Sequence, residues 1–223
     1  MERICEPELM DEPLQAQAYA QADFASSDQA LLDRIAAQFG GDLGDHIVDL
    51  GCGPGNITFL LADRYPGSLV LGLDGAAAML EIAEARRQSQ PRWHQAVRFR
   101  QVVLPCADLQ AGTATAVVSN SLLHHLHDPQ VLWQTVRQLG SAGAVIMVRD
   151  LHRPASAEEL DALLAVQMAG APEVLRTDYA NSLRAAFRCE EVVDQLRLAG
   201  LNTLKVARAG DRYLEVSGRL PLA

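Results

Sequence analysis

The stretch Ile47-Val48-Asp49-Leu50-Gly51-Cys52-Gly53-Pro54-Gly55-Asn56 limits this chain more than any other. An apolar run ends in three glycines at alternate positions, and Ile57, Leu60, Leu61 and Tyr65 then repeat at helical spacing. Such a run reads as a buried strand, a tight turn and a helix. Glycine lets the backbone turn sharply and leaves no Cβ in the way of a ligand. The helix start adds unpaired N–H groups and the positive end of a dipole. Asp49 would aim its carboxylate into the same crevice. The stretch is expected to be a nucleotide-type binding loop.

Around it, apolar runs alternate with helical patterns. Strands are expected at Ile47–Leu50, Leu69–Leu73, Val97–Leu104, Ala116–Ser119 and Ala144–Val148, with helices between them at 76–88 and 129–139. That alternation predicts an α/β fold: a doubly wound, mostly parallel sheet of seven strands, helices on both faces, with the last strand antiparallel. The final two strands are expected at Leu204–Ala207 and Tyr213–Val216. Two helices, Leu14–Ala20 and Ser27–Phe39, precede the sheet, the second capped by Ser27 or Asp28. Three more are expected at 157–169, 178–187 and 190–199. Residues 1–43 read as a helical cap or lid, and 44–223 as the main domain with a helical insertion at about 154–189. A chain of 223 residues can bury roughly 70% of its unfolded surface without staples.

No apolar run reaches the roughly 20 residues that span a bilayer, and residues 1–12 lack the core of a secretion signal. Four cysteines without metal spacing suit a reducing cytoplasm, so a cytoplasmic protein with no metal is expected. The net charge of −9 argues against a nucleic-acid partner unless a basic patch is present. One candidate patch is Arg86, Arg87, Arg92, Arg98 and Arg100, around Trp93 and His94; the plainer reading is a solvated helix end. Trp133 reads as core packing, and Cys106 and Cys189 as structural.

Asp74 ends the second strand nineteen residues after Gly55, where a doubly wound fold presents a carboxylate to ribose hydroxyls. That reading suits nicotinamide dinucleotides and S-adenosylmethionine alike. The glycine spacing separates them: a dinucleotide fingerprint is G-x-G-x-x-G, but Asn56 stands where its third glycine would fall.

VDLGCGPGN resembles the first motif of the class I S-adenosylmethionine-dependent methyltransferases, LGLDGAAAML their second and VVSNSLLHHLHDP their fourth. The likeness runs from about Gly44 to Val148. It implies that Gly51, Cys52, Gly53, Gly55 and Asn56 surround the methionine part of S-adenosylmethionine, with Asp49 near its ammonium. Asp74 would hold the ribose, Gly75, Met79 and Leu104 would flank the adenine, and Asn120 and Ser121 would face the sulfonium. The family often has an acid after strand three, where Val102-Val103-Leu104 has none, so backbone groups or Asp108 would serve. It usually has an acid opening strand four, where Thr115 stands, and often a polar residue at the position of Ala76.

His124 and His125 are candidate general bases. Tyr19, Arg149, His152, Arg153, Tyr179, Asn181 and Arg212 are candidate contacts to the acceptor, arginine being suited to a carboxylate or phosphate. The expected activity is methyl transfer to an oxygen, nitrogen or sulfur atom of a small molecule, releasing S-adenosylhomocysteine. The alternatives are an RNA or protein methyltransferase and a non-catalytic S-adenosylmethionine-binding module; an NAD-dependent oxidoreductase is disfavoured by Asn56. The sequence leaves monomer and homodimer both open.

Overall fold

A computed structural model describes residues 1–222; Ala223, the end of the expected main domain, lies outside them. The chain runs α1 (Pro13–Gln21), α2 (Ala25–Phe39), β1 (His46–Leu50), α3 (Asn56–Arg64), β2 (Leu69–Asp74), α4 (Ala77–Ser89) and β3 (Val97–Gln101). It continues through β4 (Ala114–Asn120), α5 (Gln130–Leu139), β5 (Gly140–Leu151), α6 (Ala157–Gln167), α7 (Glu173–Ala185), α8 (Cys189–Leu198), β6 (Lys205–Ala209) and β7 (Tyr213–Arg219). The strands form one seven-stranded sheet in the order β3-β2-β1-β4-β5-β7-β6. Neighbours from β3 to β5 are parallel, and β7 runs antiparallel to both β5 and β6.

Alternation along the central strands divides the core in two. Val117, Ile146 and Val148 face α5 and α8, whereas Ala116, Val118 and Met147 face α2 and α3. On α5, Leu132, Trp133, Val136 and Leu139 form the buried stripe of an amphipathic helix. Trp133 is fully buried, and its indole N–H donates to Gln195 Oε1 at 3.0 Å, so its one polar atom is satisfied. Trimming such a side chain to alanine costs about 3–5 kcal/mol.

Several boundaries differ from expectation. α2 starts at Ala25, whose N–H is taken by Asp23 Oδ1, so Ser27 and Asp28 lie inside the helix and neither caps it. Asp28 is buried instead. β5 extends to Leu151, and this extension carries Arg149 and Asp150 into the interior. α7 begins five residues earlier than its pattern suggested and stops before Phe187, which bridges His152.

Candidate active site

The C-terminal ends of β1, β2 and β4 open on one edge of the sheet, where open α/β sheets bind ligands. The N–H groups of Gly51 and Cys52 both donate to Leu73 O, at 2.8 and 3.0 Å, and pin the glycine loop to β2. Gly53 N donates to Asp74 Oδ2 at 2.7 Å, and Ala76 N to Asp74 Oδ1 at 2.8 Å. Each carboxylate oxygen keeps a further lone pair for a ligand. Gly51 has φ +69°, and a Cβ there would stand 2.8 Å from Leu122, so loop and β4 end require glycine.

Asp49 is 1% exposed and accepts from Thr58 Oγ1 at 2.6 Å. Burial, reinforced by Asp74 and Asp28, raises its pKa to about 7 against the opposing Thr58 hydroxyl. Burial likewise raises Asp74, with the amides of Ala76, Gly53 and Gly75 pulling it back. Asp28 is raised to about 6 by burial, with Arg149 as the main opposing influence. Three carboxylates reluctant to ionise on one wall favour a ligand that brings positive charge or hydroxyl donors.

These groups line a cavity of about 670 Å³, within the roughly 300–1,000 Å³ usual for small-molecule sites. Asp49, Gly51, Cys52, Gly53 and Asn56 form one end, and Asp74, Gly75, Met79 and Leu104 the adjoining wall. Asn120 and Ser121 lie between that end and the helices α6 and α7. Gly55 is an exception. With φ +86° it turns the chain into α3 and packs behind the loop, where a Cβ would meet Phe59 at 2.8 Å. Asp108 does not line the cavity, so Val102, Val103 and Leu104 alone stand where the family pattern has an acid. Thr115 Oγ1 instead ties β4 to β1, donating to His46 O at 2.9 Å and accepting from His46 N at 3.1 Å.

Of the candidate acceptor contacts, Tyr19, Tyr179 and Arg212 face the cavity. Tyr179 Oη is buried without a hydrogen-bond partner beside Arg212. Four candidates do not reach the cavity. Arg149 is buried and turned back to Asn120 Oδ1 at 2.9 Å and Ser27 O at 2.8 Å, so it positions Asn120 rather than meeting a ligand. Arg153 is held by Ala186 O and Glu191. His152 accepts from Arg208 of β6, and Asn181 is exposed, on the opposite side of α7 from Tyr179.

His124 and His125 sit on a short turn after β4 and both line the cavity. His124 Nδ1 lies 2.6 Å from Asp150 Oδ1, and Asp150 also accepts from the amides of Leu123 and Leu151, each at 2.7 Å. Burial opposes the charge on His124, but Asp150 and Glu6 outweigh it and raise its pKa. His125 is pushed down to about 3 by burial and by His124. Glu6, in the arm before α1, stands 3.4 Å from His124 Nε2 and 3.2 Å from His125 Nδ1. No sequence pattern marked Glu6, because the arm has no periodicity to place it.

Four of the five arginines of the patch are tied to their own surroundings, and Arg100 is exposed. Arg86 donates to Pro54 O and Asn56 Oδ1, Arg87 to Glu84, Arg92 to Asp63 and Arg98 to the carbonyls of His94 and Val97. No helix among the described residues is long and apolar enough to cross a membrane.

A seven-stranded sheet in this order, with a glycine loop after β1 and acids at the ends of β1 and β2, is the fold of class I methyltransferases. Residues 48–146 match the family model described as a methyltransferase domain. Among curated proteins, the chain is 37% identical over 117 residues to the trans-aconitate 2-methyltransferase of Azoarcus sp. (strain BH72), covering 48% of this chain and 41% of that protein. It is 35% identical over 127 residues to the trans-aconitate 2-methyltransferase of Methylobacterium nodulans, covering 56% and 45%. The chain thus spans less than half the length of these relatives. The crystal structure of a SAM-dependent methyltransferase from Aquifex aeolicus superposes with a TM-score of 0.68 at 15% identity, covering 94% of this chain and 98% of that one.

Proposed function

We propose that the chain is an S-adenosylmethionine-dependent methyltransferase that esterifies a small, largely apolar carboxylic acid. The observation that carries the cofactor half is the pairing of Asp49 and Asp74 across a loop whose Gly51 and Gly53 leave backbone bare at the cavity. Asp49 suits the ammonium of the methionine part, and Asp74 suits two neighbouring hydroxyls of a ribose. Met79 and Leu104 supply apolar faces for the base. Bound there, S-adenosylmethionine supplies a methyl group on a positively charged sulfur, open to displacement by an acceptor lone pair.

The acceptor half rests on the other end of the cavity. Leu126, Leu151, Met168, Val174 and Leu175 make it apolar, and Arg212 is the cation lining it. Arg212 with the unpartnered hydroxyl of Tyr179 suits one anionic group. A carboxylate arrives already deprotonated, so its oxygen needs alignment and dryness rather than a base. On this reading His124 and His125 hold the wall of the site and do not remove a proton. The relatives are named for trans-aconitate, which shares the carboxylate but carries three of them. Glu8, Asp23 and Asp178 also line this cavity and oppose a multiply charged acid there.

The test is incubation with methyl-labelled S-adenosylmethionine and a panel of mono-, di- and tricarboxylic acids that includes trans-aconitate. A methyl ester releases labelled methanol on mild alkaline treatment, whereas N-methyl, S-methyl and ether products do not. Label that survives alkali would overturn the ester assignment. Absence of cofactor binding in calorimetry would overturn the methyltransferase reading itself.

A further inference from the structure

We infer that Glu6, His124 and His125 form a binding site for one divalent transition-metal ion of the zinc type, set in the wall of the cavity. Glu6 Oε1, His124 Nε2 and His125 Nδ1 converge so that all three lie within 4.8 Å of one another. They come from two segments far apart in the chain, the arm and the turn after β4. Two histidines and one carboxylate are a donor set that zinc takes in open, three-ligand sites.

Distances discriminate between a metal site and a purely hydrogen-bonded cluster. A charge-assisted N–H···O bond closes to about 2.7–2.9 Å. The two Glu6 contacts are longer, at 3.4 Å to His124 and 3.2 Å to His125. A tetrahedral ion with bonds of about 2.0–2.1 Å separates neighbouring donor atoms by about 3.3 Å. Both contacts match that edge; His125 Nδ1 also lies 3.4 Å from Pro7 O, a contact the ion would replace.

The surroundings have the form of a metal site's outer layer. A ligating histidine commonly gives its other ring nitrogen to a carboxylate, which fixes ring and tautomer. His124 Nδ1 does so to Asp150 at 2.6 Å, and Asp150 is itself fixed by two backbone amides. On the carboxylate side, Ser182 Oγ donates to Glu6 Oε1 at 3.1 Å. Arg3 is the cation nearby, but its guanidinium is committed to the carbonyls of His124, Leu126 and Ala185. Both histidines line the cavity, so the inferred ion would sit in its wall. A water molecule would complete the tetrahedron there, and ion binding does not rest on the methyltransferase reading.

The experiment uses the tag-free full chain, dialysed against a chelator and titrated with zinc chloride by calorimetry. One ion per chain is expected, with a matching rise in melting temperature and, with cobalt(II) in place of zinc, a visible absorption band of a tetrahedral ion. Glu6→Gln and His125→Ala should each weaken zinc by more than about tenfold. Cys5→Ser, beside the same arm, should leave it unchanged. Glu6 lies outside every helix and strand, so its substitution leaves the core intact. Lack of stoichiometric zinc uptake by the wild-type chain would overturn the inference, and so would unaltered affinity in His125→Ala. A chain that takes up zinc but ignores S-adenosylmethionine would sink the methyltransferase reading and leave this one standing.

Discussion

Gly53 N donates to Asp74 Oδ2 at 2.7 Å, so the tip of the glycine loop and the end of β2 are one unit. The carboxylate proposed to bind a ribose is the same group that shapes the loop.

Asp74→Asn is therefore expected to act on two properties at once. Losing a charge-assisted acceptor costs about 1.5–3 kcal/mol, which weakens S-adenosylmethionine by roughly 10- to 100-fold in calorimetry. The melting temperature should fall modestly too, because an amide oxygen still accepts from Gly53 or Ala76 but not from both. An unchanged cofactor affinity would remove Asp74 from the site.

Asp49 sets a pH dependence whose sign follows from its raised pKa. A carboxyl shifted from 3.8 to about 7 on folding contributes stability that is present below pH 4 and lost as pH rises through 7. The free protein should accordingly lose this contribution between about pH 4 and pH 7 in thermal melts. An ammonium prefers the ionised form, so cofactor affinity should rise with pH up to about 7 and then level off. Asp49→Asn should flatten both profiles.

Arg149 is expected to act on stability and not on acceptor recognition. It lies 3.9 Å from Asp28, both being buried, and it holds Asn120. Arg149→Met strands a buried acid, a change that typically costs about 3–5 kcal/mol. The check is a large fall in melting temperature, with KM for the acceptor changing no more than KM for the cofactor.

Tyr179 and Arg212 should behave in the opposite way. Tyr179→Phe removes a buried hydroxyl that has no partner, so stability should hold or rise by about 1 kcal/mol. The KM for the acceptor should rise roughly fivefold, the worth of one hydrogen bond of ~1 kcal/mol. Arg212→Ala should raise it further while leaving cofactor affinity intact.

The sheet was legible in the sequence because its buried strands are short apolar runs, and the loop ends beside the cavity because motif spacing fixes backbone position. The acceptor end was less legible. Arg149, His152 and Arg153 follow β5 and seemed poised to reach a ligand, but a strand that runs on to Leu151 keeps Arg149 inside, and Phe187 bridges His152. Asn181 shares α7 with Tyr179, yet two residues turn a helix by about 200°, onto its outer side. Gly55 belongs to the motif but serves Phe59 and Phe99 from behind. Glu6 gave no signal and Asp28 read only as a helix cap, since their partners lie more than a hundred residues away.

Arg3 and Glu6 bind the turn of residues 123–127 on one side and α7 on the other, while Leu9 packs over Gly75. The arm is thus a seam that joins three separate parts of the fold beside the cavity, with Glu8, Leu9 and Met10 in its lining. Twelve residues without helix or strand are held there by side-chain bonds, and an ion at Glu6 would be the knot.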